Sequence, residues 1–173
     1  KYGLSLVLKE QKRYEEAFKA ARELLQEIPS NLIFQTNILE IHLAEGNSLE
    51  AISVGEKLLS VNSNNFSISY FLAKAYILDN NPEKAEEILI NLSKENPKDP
   101  SVWYELAEAQ GLSGNIIGLH RSRAEYFILT GRYDSAIFQL REGLKLSKNF
   151  FEIRESIINC LLYTSPSPRD FQV

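Results

Sequence analysis

The chain has 173 residues, of which 44% are apolar and 24% charged, a balance ordinary for one folded domain. Its formal net charge of −4 provides no basic face for nucleic acid or anionic lipid, and no apolar run is long enough to span a bilayer. A single cysteine, Cys160, excludes an internal disulfide. In chain order, apolar residues recur at helical spacing over 1–11, 14–28, 31–45, 48–61, 65–79, 82–95, 99–113, 116–130, 133–147 and 150–162. Strand-period alternation is missing. The connections, such as Gly46-Asn47-Ser48 and Asn96-Pro97-Lys98-Asp99, are short and polar, so neighbouring helices must run antiparallel. Pro29 and Pro97 fall just past helix ends, where a missing N–H does least harm.

The helices repeat in pairs. Ala17, Ala51 and Ala85 stand 34 residues apart, and Ala136 follows after 51, one and a half times that period. Each closes a similar phrase: Tyr14-Glu15-Glu16-Ala17, Ser48-Leu49-Glu50-Ala51, Pro82-Glu83-Lys84-Ala85 and Tyr133-Asp134-Ser135-Ala136. The unit 66–99 is the most regular. It has Leu72, Ala73 and Tyr76 in its first helix, a turn at Asp79 to Pro82, and Ala85, Leu89 and Leu92 in its second. Trp103, Leu106, Ala107 and Gly114 extend the pattern. A 34-residue helix–turn–helix period resembles the tetratricopeptide repeat. The expected fold is therefore an all-α solenoid of about ten antiparallel helices over residues 1–160. Its repeats fall near 1–31, 32–65, 66–99, 100–130 and 117–148, with a last helix at 150–160. The overlap of the last two repeats expresses the extra half period. The helix 116–130 must serve both as the second helix of one unit and as the first of the next.

A narrower resemblance lies in that region. His120-Arg121-Ser122-Arg123-Ala124-Glu125-Tyr126-Phe127, Gly131-Arg132-Tyr133-Asp134-Ser135-Ala136-Ile137, and Phe150-Phe151-Glu152-Ile153-Arg154-Glu155-Ser156-Ile157 are similar to the C-terminal repeats of bacterial periplasmic zinc metalloproteases of the beta-barrel assembly-enhancing type. The resemblance implies a periplasmic chain that recruits clients or outer-membrane assembly machinery to a protease domain upstream, where the zinc would sit. The chain holds no methionine and begins at Lys1 inside a helix, so it is expected to be a piece of a longer protein. The other reading is a stand-alone repeat adaptor, cytoplasmic in location, with no enzyme attached.

No catalytic constellation lies in these residues. His42 is followed by Leu43, Ala44 and Glu45, and neither it nor His120 opens the H-E-x-x-H pattern that zinc hydrolysis needs. His42 occupies the place of Tyr76 in the next repeat and reads as a packed ring; His120 reads as a packing or capping residue. Cys160 has no evident base, and Gly111, Gly114 and Gly118 follow no strand, as a phosphate loop would require. No cofactor is expected on this chain.

Binding is the remaining role, with proteins or extended peptides as partners. In the repeat family, first helices line the concave surface. The residues expected there are Thr36, Asn37 and Glu40, then Tyr70, Phe71 and Lys74, then Tyr104, Glu105 and Glu108, then Arg121 and Glu125. Of these, Asn37, Glu40, Tyr70, Phe71, Lys74, Tyr104, Glu108 and Arg121 are the candidate partner-binding set. Tyr70, Phe71 and Tyr104 are expected to supply its aromatic anchors. The alternative is that these rings cover the core or one another. Members that clamp a terminal carboxylate use basic and asparagine side chains, where this chain has Tyr2, Leu6, Asn37, Ser67 and Phe71; only Asn37 fits. Beyond Asn159 the string Cys160-Leu161-Leu162-Tyr163-Thr164-Ser165-Pro166-Ser167-Pro168-Arg169-Asp170 breaks the pattern. Residues 161–173 read as a disordered or non-native tail, with Pro166 and Pro168 stopping any helix.

Overall fold

Among the described residues, 1–146 of the computed structural model, nine helices follow one another. They are α1 (Tyr2–Glu10), α2 (Tyr14–Glu27), α3 (Leu32–Glu45), α4 (Ser48–Val61), α5 (Phe66–Leu78), α6 (Pro82–Glu95), α7 (Pro100–Ser113), α8 (Ile116–Leu129) and α9 (Tyr133–Leu146). Each matches an expected helix to within a few residues. The expected last helix and the tail lie outside the described residues.

Short polar side chains set the helix starts. Asn31, Asn47, Asn65 and Asn115 accept from the backbone N–H three residues on, and Asp99 accepts from Ser101 N at 2.9 Å, with Pro100 at the first helical position. Each satisfies a donor that the helix itself cannot. The turns inside repeats share one backbone device. Lys12, Gly46, Asn80 and Gly114 all have positive φ, at 61°, 87°, 56° and 80°, and they stand 34 residues apart. A left-handed residue there folds the chain back so that a backbone N–H beyond the helix reaches a carbonyl in its last turn. Those bonds recur in step: Arg13 N to Leu8 O, Asn47 N to His42 O and Asn81 N to Tyr76 O, each 2.9 Å. Gly131 (φ 73°) makes the same turn only 17 residues after Gly114, with Arg132 N bonded to Phe127 O at 2.8 Å. The half-period step is thus built into the backbone.

The chain divides into two compact units, one ending at Ile88 and the other starting at Leu89, inside α6. In the first, successive helices pack in order from α1 to α5, and α3 also lies against both α1 and α5. Its core is Leu8, Ala17, Phe18, Ala21 and Ile41 at one end, and Leu39, Ala51 and Ala75 further along. Ala17, Ala51 and Ala85 are fully buried, as helices crossing at close approach require. In the second unit α8 packs against both α7 and α9, and Ala124, Ala136 and Leu140 form a core between α8 and α9.

Candidate functional site

First helices are flanked on two sides, so α3 and α5 are apolar around most of their circumference and show no single stripe. Polar residues on them therefore stand out. In the first unit a cleft of about 220 Å³ opens between α1, α3 and α5. Tyr2 of α1, Leu32, Ile33, Thr36 and Glu40 of α3, and Asn65, Ser67 and Phe71 at the start of α5 line it. Ile33 is 60% exposed, a large aliphatic side chain left at the surface. Phe71 forms a wall, held from behind by Leu39, Ala51 and Ala75. Tyr2 rests on Phe34 with ring centroids 5.7 Å apart.

Charge in this cleft is confined to one place. Lys9 of α1 donates to Glu40 Oε2 at 2.8 Å, and the same ammonium stands 3.8 Å from a Glu10 carboxylate oxygen. Both Lys9 and Glu40 are largely covered, so this pair has less solvent around it than an ordinary surface bridge. On α5, Tyr70 lies between two other rings, stacked on Phe66 at 5.9 Å and edge-on to Phe71 at 5.6 Å, with the Lys74 ammonium 5.6 Å from its centroid. An ammonium over a ring face is attracted by the ring quadrupole.

The sequence-expected residues separate accordingly. Glu40 and Phe71 share the cleft, and Tyr70 and Lys74 flank it on α5. Asn37 needs correction: it is not exposed but fully buried. Its amide donates to Ser5 Oγ at 2.7 Å, and that hydroxyl donates to the Ala17 carbonyl. A helix sandwiched between two neighbours turns one more residue inward than a surface helix does, and Asn37 falls on that extra arc. Its Oδ1 is buried with no hydrogen-bond partner in the protein. Thr36 is also buried, its hydroxyl donating to Leu32 O at 2.8 Å, and Glu105 is buried rather than exposed. In the second unit Tyr104 is 53% exposed on α7 and meets Tyr126 of α8 edge-on at 5.6 Å. Glu108 and Arg121 are exposed. Tyr126 continues to Phe127, over which the Arg132 guanidinium sits at 4.7 Å. Ile33 was missed by sequence reasoning. Its spacing gives no signal: Ile33 stands eight residues before the buried Ile41, in phase with it, and so reads as a core residue.

Neither histidine is arranged for chemistry. His42 packs against Phe18 with centroids 4.5 Å apart, as its repeat position implied. Burial holds its pKa below the ordinary 6.5; Glu45 and Glu50 oppose that shift, and Arg22 adds to it. His120 Nδ1 lies 2.8 Å from Gln139 Oε1, tying α8 to α9. Among the described residues no three His, Cys, Asp or Glu side chains are grouped so that they could hold a metal. Among the same residues, no helix is long and apolar enough to cross a membrane.

His42 carries a pH prediction. Its depressed folded pKa means that the neutral ring is favoured in the fold. That contribution is complete above the unfolded pKa and is lost as pH falls through the folded one. The wild-type melting temperature should therefore fall more than that of His42→Phe between about pH 7.5 and about pH 5.5. Parallel thermal melts test this; matching pH slopes would refute it.

The tetratricopeptide-repeat pattern matches residues 42–109. Beta-barrel assembly-enhancing protease of Escherichia coli (strain K12) is 31% identical over 136 residues, covering 79% of this chain and 28% of that protein. The protein of the same name from Yersinia pestis is 29% identical over 143 residues, covering 83% and 29%. The chain thus spans under a third of the length of these relatives. A thermophilic tetratricopeptide-repeat protein of Thermus thermophilus superposes with a TM-score of 0.60 at 18% identity, over 93% of this chain and 97% of its own. At that identity the likeness concerns the fold. The helix pairs, the 34-residue turn device and these matches together show an all-α solenoid fold that matches the tetratricopeptide-repeat pattern over residues 42–109 and is similar in sequence to one stretch of the beta-barrel assembly-enhancing proteases.

Proposed function

We propose that this chain recruits protein partners for a periplasmic zinc metalloprotease that serves outer-membrane protein quality control. The observation that carries the reading is the similarity along four-fifths of the chain to proteins whose name joins a protease to β-barrel assembly. On this reading the zinc and the hydrolytic residues belong to another part of the parent protein, and the repeats supply affinity. Glu40, Tyr70, Phe71 and Lys74 form the binding face of the first unit, with Tyr104, Glu108 and Arg121 forming that of the second. Aromatic anchors provide most of the binding energy and charges set orientation. Asn37 contributes from below, by fixing α3 on α1.

The test is site-directed photo-crosslinking of the chain exported to the periplasm of a Gram-negative host, with the reactive residue at Tyr70 or at Tyr104. Adducts with outer-membrane β-barrel proteins or their assembly subunits are expected at both. With a partner so identified and purified, Tyr70→Ala and Tyr104→Ala should each weaken binding by about tenfold, or 1.4 kcal/mol. Adducts that form equally at the exposed second-helix residue Glu87, or none above background, would overturn the reading.

A further inference from the structure

The cleft between α1, α3 and α5 is specific enough in shape and charge to indicate its ligand. Along α3 it runs from Ile33 to Glu40. At about 1.5 Å per helical residue this is about 10 Å, the reach of three to four residues of extended chain. One end offers the exposed Ile33 and the ring of Tyr2, and the Phe71 ring forms a wall. The other end holds Glu40. Its Oε2 is bonded to Lys9, but that ammonium also faces Glu10, so one cation stands among two carboxylates and the group carries a net negative charge. Among the described residues, Glu40 is the only charged one lining the cleft, and no cation lines it.

We infer that this cleft takes a short extended peptide segment in which an aromatic or aliphatic side chain is followed two residues later by lysine or arginine, and that it rejects a terminal carboxylate. Residues i and i+2 of an extended chain face the same side, so both side chains reach the cleft together. The apolar one covers Ile33 against Phe71 and Tyr2. The cationic one approaches the oxygen of Glu40 that Lys9 does not hold, and restores neutrality. A carboxylate placed there would meet the Glu40 carboxylate and find the Lys9 ammonium already engaged. This inference rests on the recruiting role proposed above and adds the chemistry that the first unit reads.

The probe is a fluorescein-labelled, C-amidated pentapeptide carrying phenylalanine and, two residues on, arginine. It is compared with its glutamate twin and with the same arginine peptide bearing a free C-terminal carboxylate. Fluorescence anisotropy with the full 173-residue chain should show the arginine amide binding at least about tenfold tighter than the glutamate twin. The free carboxylate should weaken binding. Glu40→Gln should reduce the arginine preference to under about threefold, because it removes the acceptor and releases Lys9. Ile33→Ser should weaken all three peptides while circular dichroism stays that of the wild type. Equal binding of the charge twins, tighter binding of the free carboxylate, insensitivity to Ile33→Ser, or no binding of any peptide would each overturn the inference. Peptides that bind with the expected preference while crosslinking captures no outer-membrane protein would leave this chemistry standing and remove the protease-linked role. Partner capture without the charge preference would do the reverse.

Discussion

Leu39→Ala is expected to destabilise the chain by about 2–5 kcal/mol, a large fraction of the stability of a single domain. Leu39 is fully buried on α3, at the centre of the cluster with Ala51 of α4 and Ala75 of α5. Both of those neighbours are already alanines and cannot grow into the space. Deleting three carbons there removes their transfer free energy and leaves a cavity whose walls are backbone-close methyl groups. The same cluster supports Phe71 from behind, so the ring should settle into the cavity and the cleft should lose its wall. Urea unfolding followed by helicity measures the first consequence, and affinity for the arginine peptide in the absence of urea measures the second. A loss of less than about 1 kcal/mol would mean that α3 relaxes to fill the gap.

Gly55→Leu should cost about 1–3 kcal/mol by the opposite mechanism. Gly55 lies on the buried face of α4, and a Cβ added there would stand 3.0 Å from Leu72 Cδ1, 3.3 Å from Leu72 Cβ and 3.6 Å from Leu39 Cδ2. Leu72 and Leu39 are themselves closed in and have little freedom to move aside. Gly55→Ala is the informative control. It gains about 1 kcal/mol of helix propensity and loses a comparable amount in contacts a few tenths of an ångström too short, so it should be close to neutral. The leucine variant adds three further carbons with nowhere to go. At about 2–4 °C per kcal/mol for a chain of this size, its melting temperature should fall by roughly 2–12 °C. An unchanged melting temperature in Gly55→Leu would show that α4 can shift on α5 without loss.

Both effects follow from positions that the repeat identifies. Gly55 and Ala51 lie on the face of α4 that crosses α3 and α5, and their smallness lets the helices approach. The 34-residue period carries more than that. It places a left-handed residue at Lys12, Gly46, Asn80 and Gly114, and two of those four are not glycine. The turn survives because the hydrogen bonds on either side of it, and the packing of the helices it joins, outweigh the local cost of positive φ at lysine or asparagine, about 1–2 kcal/mol. The irregular step to Ala136 is likewise a local matter, since Gly131 closes a turn half a period early and α8 then has packing partners on both sides.

The helices of residues 1–146 and their ends were legible in the amino-acid order. They depend on interactions a few residues apart: caps at i and i+3, turn residues of positive φ, and apolar spacing along one helix. Which side chains reach solvent was not legible there and emerges from packing. Asn37 and Thr36 lie next to Glu40 along α3 and are equally polar, yet Asn37 is buried against Ser5, a residue 32 positions away, while Glu40 meets Lys9, 31 positions away. Ile33 shows the converse, an aliphatic side chain eight residues before the buried Ile41 on the same helix, yet left at the surface beside the cleft between α1, α3 and α5. Exposure on a first helix is set by how closely the helices before and after it approach. That distance is fixed by packing between repeats and leaves no periodic trace in the helix that feels it.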